Sequence, residues 1–199
     1  MSTHFAFDLD GTVTTQELLP AIANHLGLRN EMRLLTELTL SGHIDFESSF
    51  RLRCAILQSV PISDVQSIVA EVPLHGEIAA FIMSRRQQCS VVTGNLDVWI
   101  EPLISRLGCS VFCSSALTDG NRLIRPQHVL HKSKPIRELQ ARGCKVVAVG
   151  DSVNDIPMFE VADVGIAFGG VHEPAHGLAE IADYLTFDGG ALCRLLRTL

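Results

Sequence analysis

Apolar residues along this chain follow two rhythms. Short apolar runs occur at Phe5-Ala6-Phe7, Cys89–Val92, Ser110–Cys113, Lys145–Val149 and Val164–Phe168, with a further short one at Asp183–Phe187. Runs of this length, ended by Gly, Asp, Asn or Thr, read as buried strands. Between most of them the spacing changes to three and four. Ile78, Phe81 and Ile82 form one stripe, and Trp99, Leu103 and Leu107 form another. Ile136 and Leu139 mark a short helix closed by Gly143, and Leu192, Leu195 and Leu196 mark the last one. Strands alternating with helices predict an α/β fold, a Rossmann-like parallel sheet with helices on both faces.

Two segments depart from that alternation. Between the first strand and Val91 no strand pattern occurs, and the sequence instead predicts helices near 16–26, 30–40, 45–58 and 62–71. Asp45 and Ser63 look like N-cap neighbours, and Pro61 and Pro73 like stops. A crossover between parallel strands needs one helix, not four. The expectation is a catalytic core of residues 1–14 and 76–199 with a small α-helical cap, 15–75, inserted after the first strand. Such a cap would close over a ligand and exclude water. The second departure is Ala116–Ile124, where Asp119-Gly120 between short apolar arms predicts an antiparallel hairpin on the sheet.

With 199 residues, 47% of them hydrophobic, the chain can build one core and a modest insertion. A net charge of −6 without a basic run argues against a nucleic-acid partner. The N-terminus lacks a positive region followed by a long apolar stretch, and no segment is apolar for the length of a membrane span. The expected location is the cytoplasm, with no membrane partner and with either a monomer or a dimer open. Cysteines 54, 89, 109, 113, 144 and 193 form no Cys-x-x-Cys pair, so they read as small buried hydrophobes in a reducing compartment.

The first strand runs into Asp8-Leu9-Asp10-Gly11-Thr12. On extended chain, residues two apart face the same side, so the strand would deliver two carboxylates to its C-terminal end. In open α/β sheets that end is where ligands bind. One carboxylate could attack phosphorus to form an aspartyl-phosphate, and the other could act as general acid and base. A calcium loop also opens Asp-x-Asp, but its sixth and twelfth positions would be Val13 and Leu19 rather than Gly and Glu.

Three further segments bear on the same chemistry. Gly150-Asp151-Ser152-Val153-Asn154-Asp155 follows the strand at 145–149 and could share one hard cation, Mg²⁺, with the first motif. Thr93-Gly94-Asn95 ends another strand, with a hydroxyl for a phosphoryl oxygen and a Gly for close backbone approach. Lys134-Pro135 opens a helix, and Lys134 is the preferred cation for the transferring phosphoryl group, with Lys132 its rival. His172-Glu173-Pro174-Ala175-His176 matches the zinc-protease pattern His-Glu-x-x-His, but Pro174 breaks the helix that pattern requires, and a helix is expected from Pro174 onward. His128 and His131 read as solvated loop residues.

In this order the four segments resemble the haloacid dehalogenase superfamily of aspartate-dependent phosphohydrolases, over nearly the whole chain. The likeness is greatest to its phosphoserine phosphatase branch. It rests on Gly150–Phe159 and on Ile44-Asp45-Phe46-Glu47-Ser48-Ser49-Phe50-Arg51-Leu52-Arg53, followed by Val60-Pro61-Ile62. The resemblance implies Asp8 as nucleophile and Asp10 as acid/base. It implies Mg²⁺ held by Asp8, the Asp10 backbone carbonyl and Asp151, with Asp155 in support. Thr93, Lys134 and Asn154 would contact the phosphoryl group. Glu17 would receive a substrate amine, Arg53 its carboxylate, and Phe46 would pack over it, with Gly94 counted among the substrate-binding residues. A small phosphorylated metabolite, phosphoserine first, is the implied substrate. Phosphohomoserine, phosphoethanolamine, a sugar phosphate, transfer to a second acceptor and non-catalytic binding are the alternatives. Two departures bear on substrate: Asn95 stands where that branch usually carries a second Gly, and the stretch from Lys134 to Asp151 is shorter than in many members.

Overall fold

Strand β1 (Ser2–Phe7) lies inside the sheet of the computed structural model, in which residues 2–40 and 43–199 are described. It pairs in parallel with β2 (Cys89–Leu96) on one edge and with β5 (Cys144–Gly150) on the other. The full order is β4-β3-β2-β1-β5-β6-β7, with β3 Ser110–Asp119, β4 Arg122–His128, β6 Val164–Phe168 and β7 Tyr184–Thr186. Every neighbouring pair is parallel except β3 with β4. The expected α/β sheet and the hairpin at Asp119-Gly120 are both present.

Burial is what makes the strands read as continuous apolar runs. Phe5 and Phe7 face one side, where both meet Phe81 edge-on with ring centroids 5.2 and 6.2 Å apart. Phe81 belongs to α5 (Gly76–Ser84), and α6 (Asp97–Leu107) and α10 (Gly189–Leu196) share that face. Ala6, Val146 and Ala148 face the other side, against α7 (Ser133–Ala141), α8 (Ile156–Phe159) and α9 (His176–Ile181). Each fully buried Leu, Ile or Phe removed from water contributes about 1.5–3 kcal/mol, so both layers hold the sheet firmly.

After β1 come four helices: α1 (Leu18–Leu26), α2 (Arg29–Leu40), α3 (Phe46–Leu57) and α4 (Ile62–Ala70). Their buried residues, Leu18, Ile22, Phe50, Leu57, Val65 and Val69, join the apolar cluster of Phe5 and Phe7. The chain leaves and returns through adjacent segments. Thr14 and Leu74 form an isolated antiparallel bridge, the Thr15 N–H donates to the Pro73 carbonyl at 3.0 Å, and the His75 N–H to Val13 at 2.9 Å.

Asp45 caps α3 as expected, accepting the Ser48 N–H at 2.9 Å. Ser63 does not cap α4. The helix begins after Pro61, and its first amides are satisfied from the hairpin tip: Ile62 and Ser63 both donate to Asn121, to its carbonyl and its side-chain oxygen, each at 2.9 Å. A cap supplied from a distant turn leaves no mark beside the helix it starts.

The described cysteines are all free. Among the described residues no helix is long and apolar enough to cross a membrane.

Candidate active site

The sheet order places the site. β1 is flanked by β2 on one side and β5 on the other, so the chain reverses its direction of winding at β1. A crevice opens at the C-terminal ends of such strands. Phe7 pairs with Val149, and the Asp8 N–H donates to the Val149 carbonyl at 2.8 Å. Asp8 and Asp151 therefore emerge side by side from adjacent strand ends.

β1 ends at Phe7, so the extended-chain rule for Asp8 and Asp10 lapses at the turn. Gly11 makes that turn with φ of 72°, a left-handed conformation that favours Gly. Asp10 is carried to a different task than a shared strand face implies. Its Oδ1 accepts the Leu18 N–H at 2.7 Å, at the start of α1, and its Oδ2 accepts the side-chain amide of Asn95. Asn95 also donates to Thr93 Oγ1 at 3.1 Å. Thr93 and Asn95 are thereby locked beside Asp10.

Lys132, not Lys134, reaches the carboxylates. Lys132 is buried and pairs with Asp8 Oδ1 and, at 2.7 Å, with Asp155 Oδ1. Lys134 lies one position into the first turn of α7 and is exposed. The reason is helical geometry. Lys132 precedes the first turn of α7 and points across the strand ends, whereas two residues later the side chain has rotated out to solvent. Asp155 is fully buried, and its other oxygen accepts from the Asp151 and Ser152 amides, both at 3.0 Å. It fixes the lysine and the loop carrying Asp151 at once.

Asp151 has an uneven environment. Oδ1 accepts from Thr12 at 3.4 Å. Oδ2 is buried and accepts no hydrogen bond among the described residues. His172 Nε2 lies 3.0 Å from it, an ion-pair distance without hydrogen-bond alignment. His172 also lies 3.5 Å from Glu17 Oε1.

Crowding of buried carboxylates sets the electrostatics. Burial, then the Asp155 carboxylate, push Asp8 well above the ordinary carboxylate range, with Lys132 opposing. Burial and Glu17 raise Asp10 to about 7, and burial and Asp155 raise Asp151 to about 8. Burial lowers Lys132, but Asp155 and Asp8 outweigh it, so its ammonium is held more tightly than usual. Pairing with Glu17 raises His172 to about 9. An excess of buried negative charge is what a cation relieves, and the carboxylates of Asp8, Asp151 and Asp155 offer oxygens within 4.8 Å of one another. This cluster could hold a divalent metal ion.

The remaining expected residues line the approach. Glu17 immediately precedes α1. Phe46 opens α3, stacks on Phe50 at 5.9 Å and covers Gly94, where an added methyl would stand 2.8 Å from the ring. Arg53 donates to Thr36 at 3.0 Å, while its Nε is buried without a hydrogen-bond partner among the described residues. Burial weakens the Arg53 cation and the Glu17 charge supports it. Asn154 is exposed on the turn between Ser152 and Asp155.

Sequence reasoning missed Lys132 as first choice, the Asn95–Asp10 contact, and His172. The zinc-protease pattern indeed forms no helix: α9 starts at His176, later than Pro174, and His176 faces Glu180 at 3.5 Å. His172 nevertheless reaches the site, because it lies in the loop after β6, another strand end on the ligand-binding edge. That position was the only signal available.

A doubly wound α/β sheet with a buried aspartate–lysine pair at its switch point defines a class of hydrolases built around an aspartate. The model for the haloacid dehalogenase-like hydrolases matches residues 5–160. The chain belongs to that family, as a phosphoric monoester hydrolase of phosphoserine phosphatase-like type. It is 29% identical to the phosphoserine phosphatase of Methanocaldococcus jannaschii, over 81% of this chain and 83% of that one. It is 31% identical to phosphoserine phosphatase SerB2 of Mycobacterium tuberculosis, over 89% of this chain but 46% of that longer one. Among solved structures it is similar to a phospho-aspartyl intermediate analogue of phosphoserine phosphatase, with a TM-score of 0.80, 25% identity, and coverage of 100% of this chain and 99% of that one.

Proposed function

We propose that the protein hydrolyses the phosphate monoester of a small amino acid, phosphoserine foremost, through a covalent phosphate on Asp8. One observation carries the reading: the buried Asp8 carboxylate meets the Lys132 ammonium at the end of β1, with Asp151 beside it just past β5. Lys132 engages Asp8 Oδ1, which leaves Oδ2 to attack phosphorus. The P–O bond to the serine oxygen breaks as the bond to Asp8 forms. Asp10, raised to about 7, carries the proton that the leaving oxygen needs. As a carboxylate it then takes a proton from the water that attacks the aspartyl-phosphate, freeing Asp8 and phosphate. Asn95 and the Leu18 amide hold Asp10 in place for both transfers.

The donor set fits Mg²⁺: hard carboxylate oxygens of Asp8, Asp151 and Asp155, all buried, with the single ammonium of Lys132 between Asp8 and Asp155. Asp8, Asp151 and the Asp10 backbone carbonyl would hold it, and it would supply positive charge against the phosphoryl oxygens. Thr93, Lys132 and, on closure, Asn154 would hold those oxygens. Lys132 thus takes the part first given to Lys134.

Residues 15–75 serve as a cap in this reading. Glu17 and Arg53 approach closely enough for the glutamate to support the guanidinium, so opposite charges face one space. An amino-acid phosphate carries an ammonium and a carboxylate that match them, with Arg offering two parallel donors. Phosphate release from L-phosphoserine, phosphohomoserine, phosphoethanolamine, sugar phosphates and an aryl phosphate, with Mg²⁺ and with EDTA, tests this. A Mg²⁺-dependent preference for phosphoserine is expected. Equal rates on all esters would remove the Glu17/Arg53 assignment, and rates unchanged by EDTA would remove the metal.

A further inference from the structure

We propose that Glu17, Asp151 and His172 form a second metal site, suited to a nitrogen-binding transition cation such as Zn²⁺ or Co²⁺ rather than to Mg²⁺. The three residues come from separate segments: the residue before α1, the end of β5 and the loop after β6. Their donor atoms all lie within 4.8 Å of one another. His172 Nε2 is 3.0 Å from Asp151 Oδ2 and 3.5 Å from Glu17 Oε1. Ligand bonds of about 2.0–2.2 Å at tetrahedral angles put neighbouring donors about 3.4 Å apart. The observed separations bracket that value.

One observation beyond the clustering points to an occupant. Asp151 Oδ2 belongs to a side chain only 2% exposed, accepts no hydrogen bond among the described residues, and faces the imidazole without hydrogen-bond alignment. Gly11 lets the first loop pack directly on these acids: a methyl there would stand 2.5 Å from Asp151 Oδ2 and 3.4 Å from Glu17 Oε1. A cradle lined by two carboxylate oxygens and one imidazole nitrogen is a mixed N/O set. Imidazole favours Zn²⁺, Co²⁺ and Ni²⁺, whereas Mg²⁺ takes oxygen. With three protein ligands a fourth position stays open to solvent, since His172 and Glu17 are 45% and 41% exposed.

The site shares Asp151 with the acidic cluster and takes Glu17 away from any substrate amine. A transition cation bound here therefore blocks the phosphatase competitively with an amine-bearing substrate. The competition rests on the role proposed above for Glu17; the site itself rests on these side chains alone.

The test is direct binding, without any phosphate ester. Zn²⁺ is titrated calorimetrically, and Co²⁺ by its visible absorption, into the intact protein with Mg²⁺ in large excess. Wild type and H176A, whose histidine lies outside the cluster, are expected to take up one ion with equal affinity. H172A and the more conservative H172Q are expected to bind at least about tenfold more weakly and to lose the intense tetrahedral Co²⁺ bands. Binding by both His172 variants as tight as by wild type, or no uptake by wild type in excess Mg²⁺, would overturn the proposal. Neither result bears on phosphate release measured with Mg²⁺ alone.

Discussion

Lys132 bridges Asp8 and Asp155, at 2.7 Å from the latter, in a place where all three side chains are buried. One ammonium thus offsets two carboxylates that burial alone would neutralise. Removing it leaves uncompensated charge. K132M is expected to destabilise the protein by about 3–5 kcal/mol and to abolish turnover. K134A, at an exposed position, should change stability by no more than about 0.5 kcal/mol and leave the rate intact. Denaturant unfolding and phosphate release on the two variants decide between the lysines, and the reverse pattern would refute the assignment.

Asp8→Asn keeps shape and removes one negative charge from the crowded site. Turnover should fall by about 10³-fold or more, with stability retained or raised. Appreciable residual hydrolysis in a rapid-quench assay would exclude the covalent route.

Proton linkage gives a pH signature. Asp10 rises from 3.8 to about 7 on folding, Asp151 from 3.8 to about 8, and the half-exposed His172, which counts for less, from 6.5 to about 9. All three bind protons more tightly folded than unfolded. Their combined effect is therefore greatest stability at the acid end of this window and a loss as pH rises from about 4 through 9. Metal-free protein should show a Tm that declines across that range. Saturating Mg²⁺, which favours the carboxylates, should flatten the decline. A metal-free Tm that climbs with pH would contradict this charge assignment.

Asn95 donates to Asp10 and so opposes the rise of its pKa. N95A should move the Asp10-dependent limb of the kcat/KM profile to higher pH. The N95A profile would coincide with wild type if the contact were without effect on the acid/base group.

Arg53→Ala should raise KM for phosphoserine about 10–100-fold, the worth of a lost charged hydrogen-bond pair, and alter an aryl phosphate little. Parallel losses on both substrates would assign Arg53 to cap packing instead.

The sheet, most helices and the hairpin were legible because their signals are local: apolar runs for strands, three-and-four spacing for helices, Asp119-Gly120 for the turn. Asp8 and Asp151 were legible for the same reason, each ending an apolar run. What escaped depends on contacts between distant segments. Lys132 and Lys134 flank Ser133 and differ only in where the first turn of α7 points. Asn121 caps α4 from a hairpin tip. His172 joins Asp151 from a loop whose local pattern suggested another chemistry.

The paired crossing at Thr14 and Leu74 has an architectural consequence. A segment whose two ends emerge together can change in length or content without displacing the strands on either side of it. The register of β1 against β2 is set by the sheet, and the closure of the intervening chain is set at the crossing. Changes in the helices beyond α1, which keep the Leu18 amide on Asp10, are therefore expected to spare the strand ends that carry the carboxylates.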